Sequence, residues 1–410
     1  MFIGKMGPSG IAGIRFEAAE AVNELAEAIF TGSPYQHGAT FEAVAKKLTD
    51  TIILNYADKA NAAIDANDMA FVEKCIADWF QEQIASHELY IPCFISRWYR
   101  ASFSIGPIRF AHLQDFAPQA KSDTGAMFDI SFGPFFELMQ RNGAYWIATV
   151  KVEGCTKDRA QEIANLAVDV ALAGLQLCIR EEEARHMARM TGRTMPVFRQ
   201  AVSRTDGELW MGATNTEPGY AFGPGFLDKR LADAKPLLDS VANRVTAYVG
   251  RKARLAKIEQ AWADAAYWYH EGLAEPLDTI AVPKLAAAIE NLLQKSKHTG
   301  SEARVLKVIC TFYGKKDSDL MNQQSQMTVK QFAKGFVGDR SCFLHGTRST
   351  LKHSLHASRP NLTMLVHGLL THYSLELDQY AASASPEDEV AEFLNFVDVR
   401  RQANAAPATP

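Results

Sequence analysis

The sequence predicts an α+β N-terminal region followed by an all-helical C-terminal bundle. Three observations lead there. Near residue 88 the texture changes from helical spacing to aromatic and β-branched runs bounded by Gly and Pro. A long helix rich in small residues follows the second of these runs. Beyond residue 226 no strand-like segment occurs, and five successive segments space their apolar residues three and four apart.

The first region is assigned to residues 1–245, helical over 1–87 and mixed over 88–226. FEAAEAVNELAEAIF and MAFVEKCIADWFQEQI carry the helical period. LYIPCFISRWYRASFSIGPIRFAHL and GAYWIATVKVEG read as strands. Thr156 and Asp158 offer a start for a helix running to Ile179. Residues 190–226 hold several Gly and Pro and read as loops with short strands. The turn-rich EPGYAFGPGF (217–226) places a domain boundary between it and Gly250.

The bundle is assigned to 250–385. Its helices are ARLAKIEQAWADAAYWYHEGLA (253–274), PKLAAAIENLLQKSK (283–297), EARVLKVICTFYG (302–314), TVKQFAKGFVGDRSCFLHGTRSTLK (328–352) and LTMLVHGLLTHYSLELDQYA (362–381). The end, ANAAPATP (403–410), reads as a disordered tail. There is no internal repeat.

Bulk properties narrow the function classes. A length of 410 residues suggests two or three domains, and 47 % hydrophobic with 22 % charged residues is ordinary for a globular protein. A net charge of −4 excludes a polybasic nucleic-acid binder, so contact with an anionic polymer needs a local patch. The six cysteines (75, 93, 155, 178, 310, 342) form no Cys-x-x-Cys pair, which argues against a zinc knuckle and fits a reducing, cytoplasmic setting. MFIGKMGPSGIAGIRF has no apolar core of a signal peptide. LAVDVALAGLQLCI (166–179) is short and holds Asp169 and Gln176, so a buried helix is expected rather than a membrane span.

The segment GDRSCFLHGTRST (338–350) carries the chemistry. On a continuous helix Phe332, Phe336, Arg340 and Phe343 share one face, and an arginine on an apolar stripe needs a partner, a carboxylate or a phosphate. His345 lies five residues on, about 140° around an ideal helix. The two side chains meet only if the helix is distorted near Gly335 and Gly338, or if a second subunit completes the site. Between 328 and 360, Lys330, Lys334, Arg340, Arg348, Lys352 and Arg359 face a single acid, Asp339, with His353 and His356 nearby. Such a patch attracts phosphates. RNA supplies its own nucleophile, the 2′-hydroxyl. A histidine can move the protons, and an arginine fork can neutralise the phosphorane. That chemistry calls for no metal or other cofactor.

Arg340-Ser341-Cys342-Phe343-Leu344-His345-Gly346 resembles the motif of HEPN domains, an arginine, four to six residues, then histidine, often followed by glycine. AAYWYHEGLAEP (265–276) followed by LAAAIENLL (285–293) is similar to the first two helices of the ApeA-like branch, and the resemblance covers about 250–385. It implies a metal-independent endoribonuclease with Arg340 and His345 as the catalytic pair. The cut would leave a 2′,3′-cyclic phosphate and a 5′-hydroxyl. The resemblance also implies a homodimer or higher homo-oligomer and a role in toxin or anti-phage defence, with transfer RNA an attractive substrate because related nucleases attack it. Ser341, where many members carry Asn, Asp or His, together with Glu290 and Asp339, takes a supporting role. Arg348, Lys352, Lys334 and His353 would contact RNA. HEPN bundles also serve as non-catalytic RNA-binding or dimerisation modules, and a scaffold in which Arg340 simply pairs with Glu290 or Asp339 is a third reading.

Other constellations carry less. Glu183-x-x-His186 has di-iron spacing but no second copy. Gly7, Gly10 and Gly13 lack the Lys-Ser/Thr of a P-loop. Asn361-Leu-Thr363 is a formal glycosylation sequon. His270 and Glu271 end an aromatic helix, and Trp98, Trp146 and Trp210 read as core or interface residues.

Overall fold

The computed structural model describes residues 2–7, 10–56, 65–125, 128–179, 182–191, 198–215, 223–250, 253–294, 301–321, 326–350, 352 and 358–405. The chain forms two compact units, Met1–Leu89 with Lys151–Ala164, and Tyr90–Val150 with Asn165–Pro410.

The first unit opens on an antiparallel hairpin, β1 (Phe2–Gly7) and β2 (Gly10–Arg15). This corrects the expectation of helix from residue 1. Gly4, Gly7, Gly10 and Gly13 each cost a helix about 1 kcal/mol relative to alanine, which weakens the helical alternative for this segment. Helices α1 (Phe16–Phe30), α2 (Tyr35–Gly38), α3 (Phe41–Tyr56) and α4 (Ala66–Gln83) follow, as the periodicity requires. Ala26, Val44, Leu48, Val72, Ile76 and Phe80 form their common core. A capping box starts α4. Asp65 accepts from the backbone N–H groups of Asn67 and Asp68 at 2.8 and 2.9 Å, and Asp68 accepts from Asp65 N at 3.1 Å.

Five strands make the main sheet: β3 (Ala85–Phe94), β4 (Phe103–Ile105), β5 (Ile108–His112), β6 (Trp146–Cys155) and β7 (Ala188–Arg189). Their spatial order is β4-β5-β6-β3-β7, with β4–β5, β5–β6 and β3–β7 antiparallel. The two runs read as strands in the sequence hold β3 to β5 and β6. Between β5 and β6 lie α5 (Leu113–Thr124), α6 (Phe128–Ser131) and α7 (Gly133–Arg141). Leu113, Phe116, Phe136 and Met139 from α5 and α7 pack with Phe94, Ala111 and Ile147 of the sheet.

The helix after β6 is α8 (Lys157–Cys178). In the second unit its residues from Ala167 to Cys178 are buried. No helix among the described residues is long and apolar enough to cross a membrane. A 3-10 turn, Glu182–His186, leads to β7. Beyond it β8 (Phe198–Thr205) and β9 (Glu208–Asn215) form a separate hairpin. Its two-residue turn, Asp206 and Gly207 at φ 51° and 89°, has the left-handed backbone that matches strand twist. Trp210 is 60 % exposed on this hairpin, unlike the buried Trp146.

The remaining elements are α9 (Phe226–Asp233), α10 (Lys235–Gly250), α11 (Ala256–Ala274), α12 (Asp278–Asn291), α13 (Ser301–Tyr313), α14 (Val329–Leu344), α15 (Ser358–Ala381) and α16 (Val390–Ala405). The five expected helices correspond to α11–α15. The bundle extends past 250–385 at both ends. On one side, the buried Arg244 of α10 reaches α11 and α15. On the other, Phe393 of α16 stacks among Phe312, Tyr373 and Tyr380. Residues 403–405, expected in the disordered tail, continue α16, and 406–410 lie outside the described residues.

No break between compact units falls at 226–250. The reason is a shared core. A Cβ on Gly174 of α8 would lie 2.4 Å from Val241 Cγ1 of α10, so the missing side chain admits α10. Gln176 of α8 also meets His270 Nδ1 of α11 at 2.9 Å.

Candidate active site

Helix α14 begins on a capping box: Gln331 N donates to Thr328 Oγ1 at 3.2 Å and Thr328 N to Gln331 Oε1 at 2.9 Å. Its buried residues Val329, Ala333, Phe336 and Phe343 recur at helical spacing, and Arg340 falls on the same stripe. The helix runs without a break through Gly335 and Gly338, so the distortion considered from the sequence is absent.

The stripe turns Arg340 toward α12. There Glu290 Oε2 meets Arg340 Nη2 at 2.7 Å, with both side chains 25 % exposed. Arg340 Nε is buried and has no hydrogen-bond partner among the described residues. The guanidinium is therefore held by one carboxylate through Nη2, while its Nε is shielded from solvent and carries no partner among the described residues.

His345 is the C-cap of α14, at φ −91° and ψ 4°, with its N–H donating to Ser341 O at 3.0 Å. Gly346 follows at φ +67°. A left-handed glycine past the cap ends a helix cheaply, which is why the motif's glycine stops α14 here. His345 is exposed, while Ser341 is half-buried. Asp339 accepts from Arg348 Nη1 at 2.8 Å, tying the segment after the helix back onto α14.

The basic patch is thinner than the sequence suggested. Arg340, Arg348 and Arg359 are paired with Glu290, Asp339 and Asp278. Lys334 and Lys352 are exposed, as is Lys330. His353 and His356 lie outside the described residues.

Sequence reading missed two buried polar clusters. In the first, Arg189 donates to both carboxylate oxygens of Asp169 at 2.7 Å, while Gln176 bridges His270 and the carbonyl of Ala184. Asp169 and Gln176 in an apolar helix were its only signal. In the second, Arg244 Nη2 donates to Asp378 at 2.6 Å, and its Nε lies 2.7 Å from Glu259 as an ion contact without hydrogen-bond alignment. Burial pushes the Glu259 carboxyl up to about 7. Asp378 and Asp388 add to the rise, and Arg244 offsets it in part. His270 and Glu271 take structural partners, Gln176 and Lys284. No three metal-ligating side chains converge among the described residues.

No family model, curated protein or solved structure matches the chain.

Proposed function

We propose that the protein is a metal-independent endoribonuclease of the HEPN class, with Arg340 and His345 as its catalytic pair. It would act in a toxin or anti-phage role. The observation that carries this reading is Arg340, braced by Glu290 with its Nε unpartnered, five residues before an exposed histidine at the helix end. Arg340 would neutralise the phosphorane formed when the 2′-hydroxyl attacks. His345 would transfer the proton to the 5′-oxygen or take it from the 2′-oxygen. Glu290 positions the guanidinium. Exposed Lys334 and Lys352, with Arg348, supply the phosphate-attracting surface. Because α14 is unbroken, the pair works through a second copy of the chain that supplies the facing group.

The test is total RNA incubated with purified protein in EDTA, with the new ends mapped. Wild type should leave 2′,3′-cyclic phosphates, and Arg340→Ala and His345→Ala should lose cleavage by at least about 100-fold. Equal RNA integrity with wild type and His345→Ala, at protein concentrations where wild type binds RNA, would sink the nuclease reading.

The three arginine–carboxylate pairs favour a second reading, a non-catalytic scaffold in which Arg340 simply pairs with Glu290. In that case Arg340→Ala leaves RNA binding unchanged and no cyclic phosphate ever forms.

A further inference from the structure

A cavity of ≈ 440 Å³ lies between α13, α14 and α15, within the usual size range of small-molecule sites. Its wall is apolar: Phe332 and Phe336 from α14, Leu365 from α15, and Met321 and Met327 from the segment joining α13 to α14. Met321 N donates to Met327 O at 3.0 Å and Val329 N to Asp319 O at 2.8 Å. Methionines adapt to varied apolar shapes, so the wall suits a guest rather than a fixed core contact.

Two charged residues border the cavity, Lys315 and Asp339. Asp339 is already neutralised by Arg348 at 2.8 Å. Lys315 Nζ donates to the carbonyl of Leu320 at 2.6 Å, and among the described residues it enters no ion pair. A carbonyl dipole does not cancel a full charge. Among the described lining residues, the charge that no side chain answers is positive, and a cationic or plain hydrocarbon guest would leave it unanswered.

We propose that this cavity binds a small amphiphilic anion, an apolar body of acyl or aromatic kind carrying one carboxylate, sulfonate or phosphate held by Lys315. The site is separate from the Arg340–Glu290 pair, and the proposal does not depend on the nuclease reading.

The test is calorimetric titration of the full chain with decanoate below its micellar concentration, with decanol and decyltrimethylammonium as comparators. Decanoate should bind at one per chain and at least about tenfold more tightly than the cation. Lys315→Gln should weaken decanoate about tenfold and leave decanol unchanged. Gly335→Leu should abolish binding of both. Gly335 lines the cavity and a Cβ there meets nothing within 4 Å, so a side chain at 335 starts without a clash, and circular dichroism should show the fold intact. The proposal is overturned if decanoate fails to bind, if folded Gly335→Leu binds it as well as wild type, or if the cation binds as tightly as the anion.

Discussion

Glu290 of α12 holds Arg340 of α14 at 2.7 Å, joining two helices whose sequences lie fifty residues apart. The pair is partly exposed, and such pairs are worth up to about 1 kcal/mol. In the proposed nuclease its weight would lie in orientation rather than stability. Glu290→Gln should therefore shift thermal unfolding only slightly while lowering RNA cleavage at least about tenfold by freeing the guanidinium. A large loss of stability with unchanged cleavage would mark the pair as purely structural.

If the protein is the proposed nuclease, arginine at 340 should not be replaceable by lysine. A lysine can satisfy Glu290 but has no planar fork to engage a second anion. Arg340→Lys should keep the fold by circular dichroism and lose most cleavage. Retained activity would remove the bidentate role.

The Asp169–Arg189 pair is buried, with side chains 6 % and 15 % exposed. Removing one partner strands the other charge away from water. Asp169→Ala should destabilise the chain by about 3–5 kcal/mol in urea unfolding. A loss below ~1 kcal/mol would show that Arg189 reaches solvent by itself.

Stability should carry a pH signature from Glu259. Its folded carboxyl is raised to about 7 from an ordinary value of 4.5, so between these values the folded chain holds more protons than the unfolded one. This contribution is present in full below about 4.5 and is lost as pH rises through about 7, with a slope of at most about 1.4 kcal/mol per pH unit. Comparing Glu259→Gln with wild type in urea across this window isolates the effect. The variant should gain on wild type as pH rises, and parallel curves would refute it.

Gly174 predicts a packing defect. Its absent Cβ would meet Val241 Cγ1 at 2.4 Å, and a buried β-branched side chain has little room to turn away. Gly174→Ala should cost about 1–3 kcal/mol despite alanine's better helix propensity. A stabilised variant would mean that α10 shifts freely on α8.

Elements whose apolar residues repeat over several turns were legible. Helices α11–α15 and α8 overlap the segments that the spacing marked, although α12 starts earlier, at Asp278, and α14 ends earlier, at Leu344, and the strand runs hold β3 to β6. Helix α16 was not legible because only Phe393, Leu394 and Val397 are buried among its described residues, too short a stripe to stand out. Helix α10 was hidden by the turn-rich segment before it, which reads as a linker. Its packing depends on Gly174, sixty-seven residues before Val241.

For the candidate site, the sequence alone placed Arg340 on an apolar stripe, which follows from the 3.6-residue period. It carried the helix on to residue 352, whereas Gly346 at φ +67° ends α14 at Leu344. Only the tertiary structure decided that Glu290 meets Arg340, that Asp339 goes to Arg348, and that three arginines of the basic patch are already paired. Pairing across helices depends on their crossing and rotation, and these are settled by how whole faces pack. The spacing of charges along one chain does not contain that information.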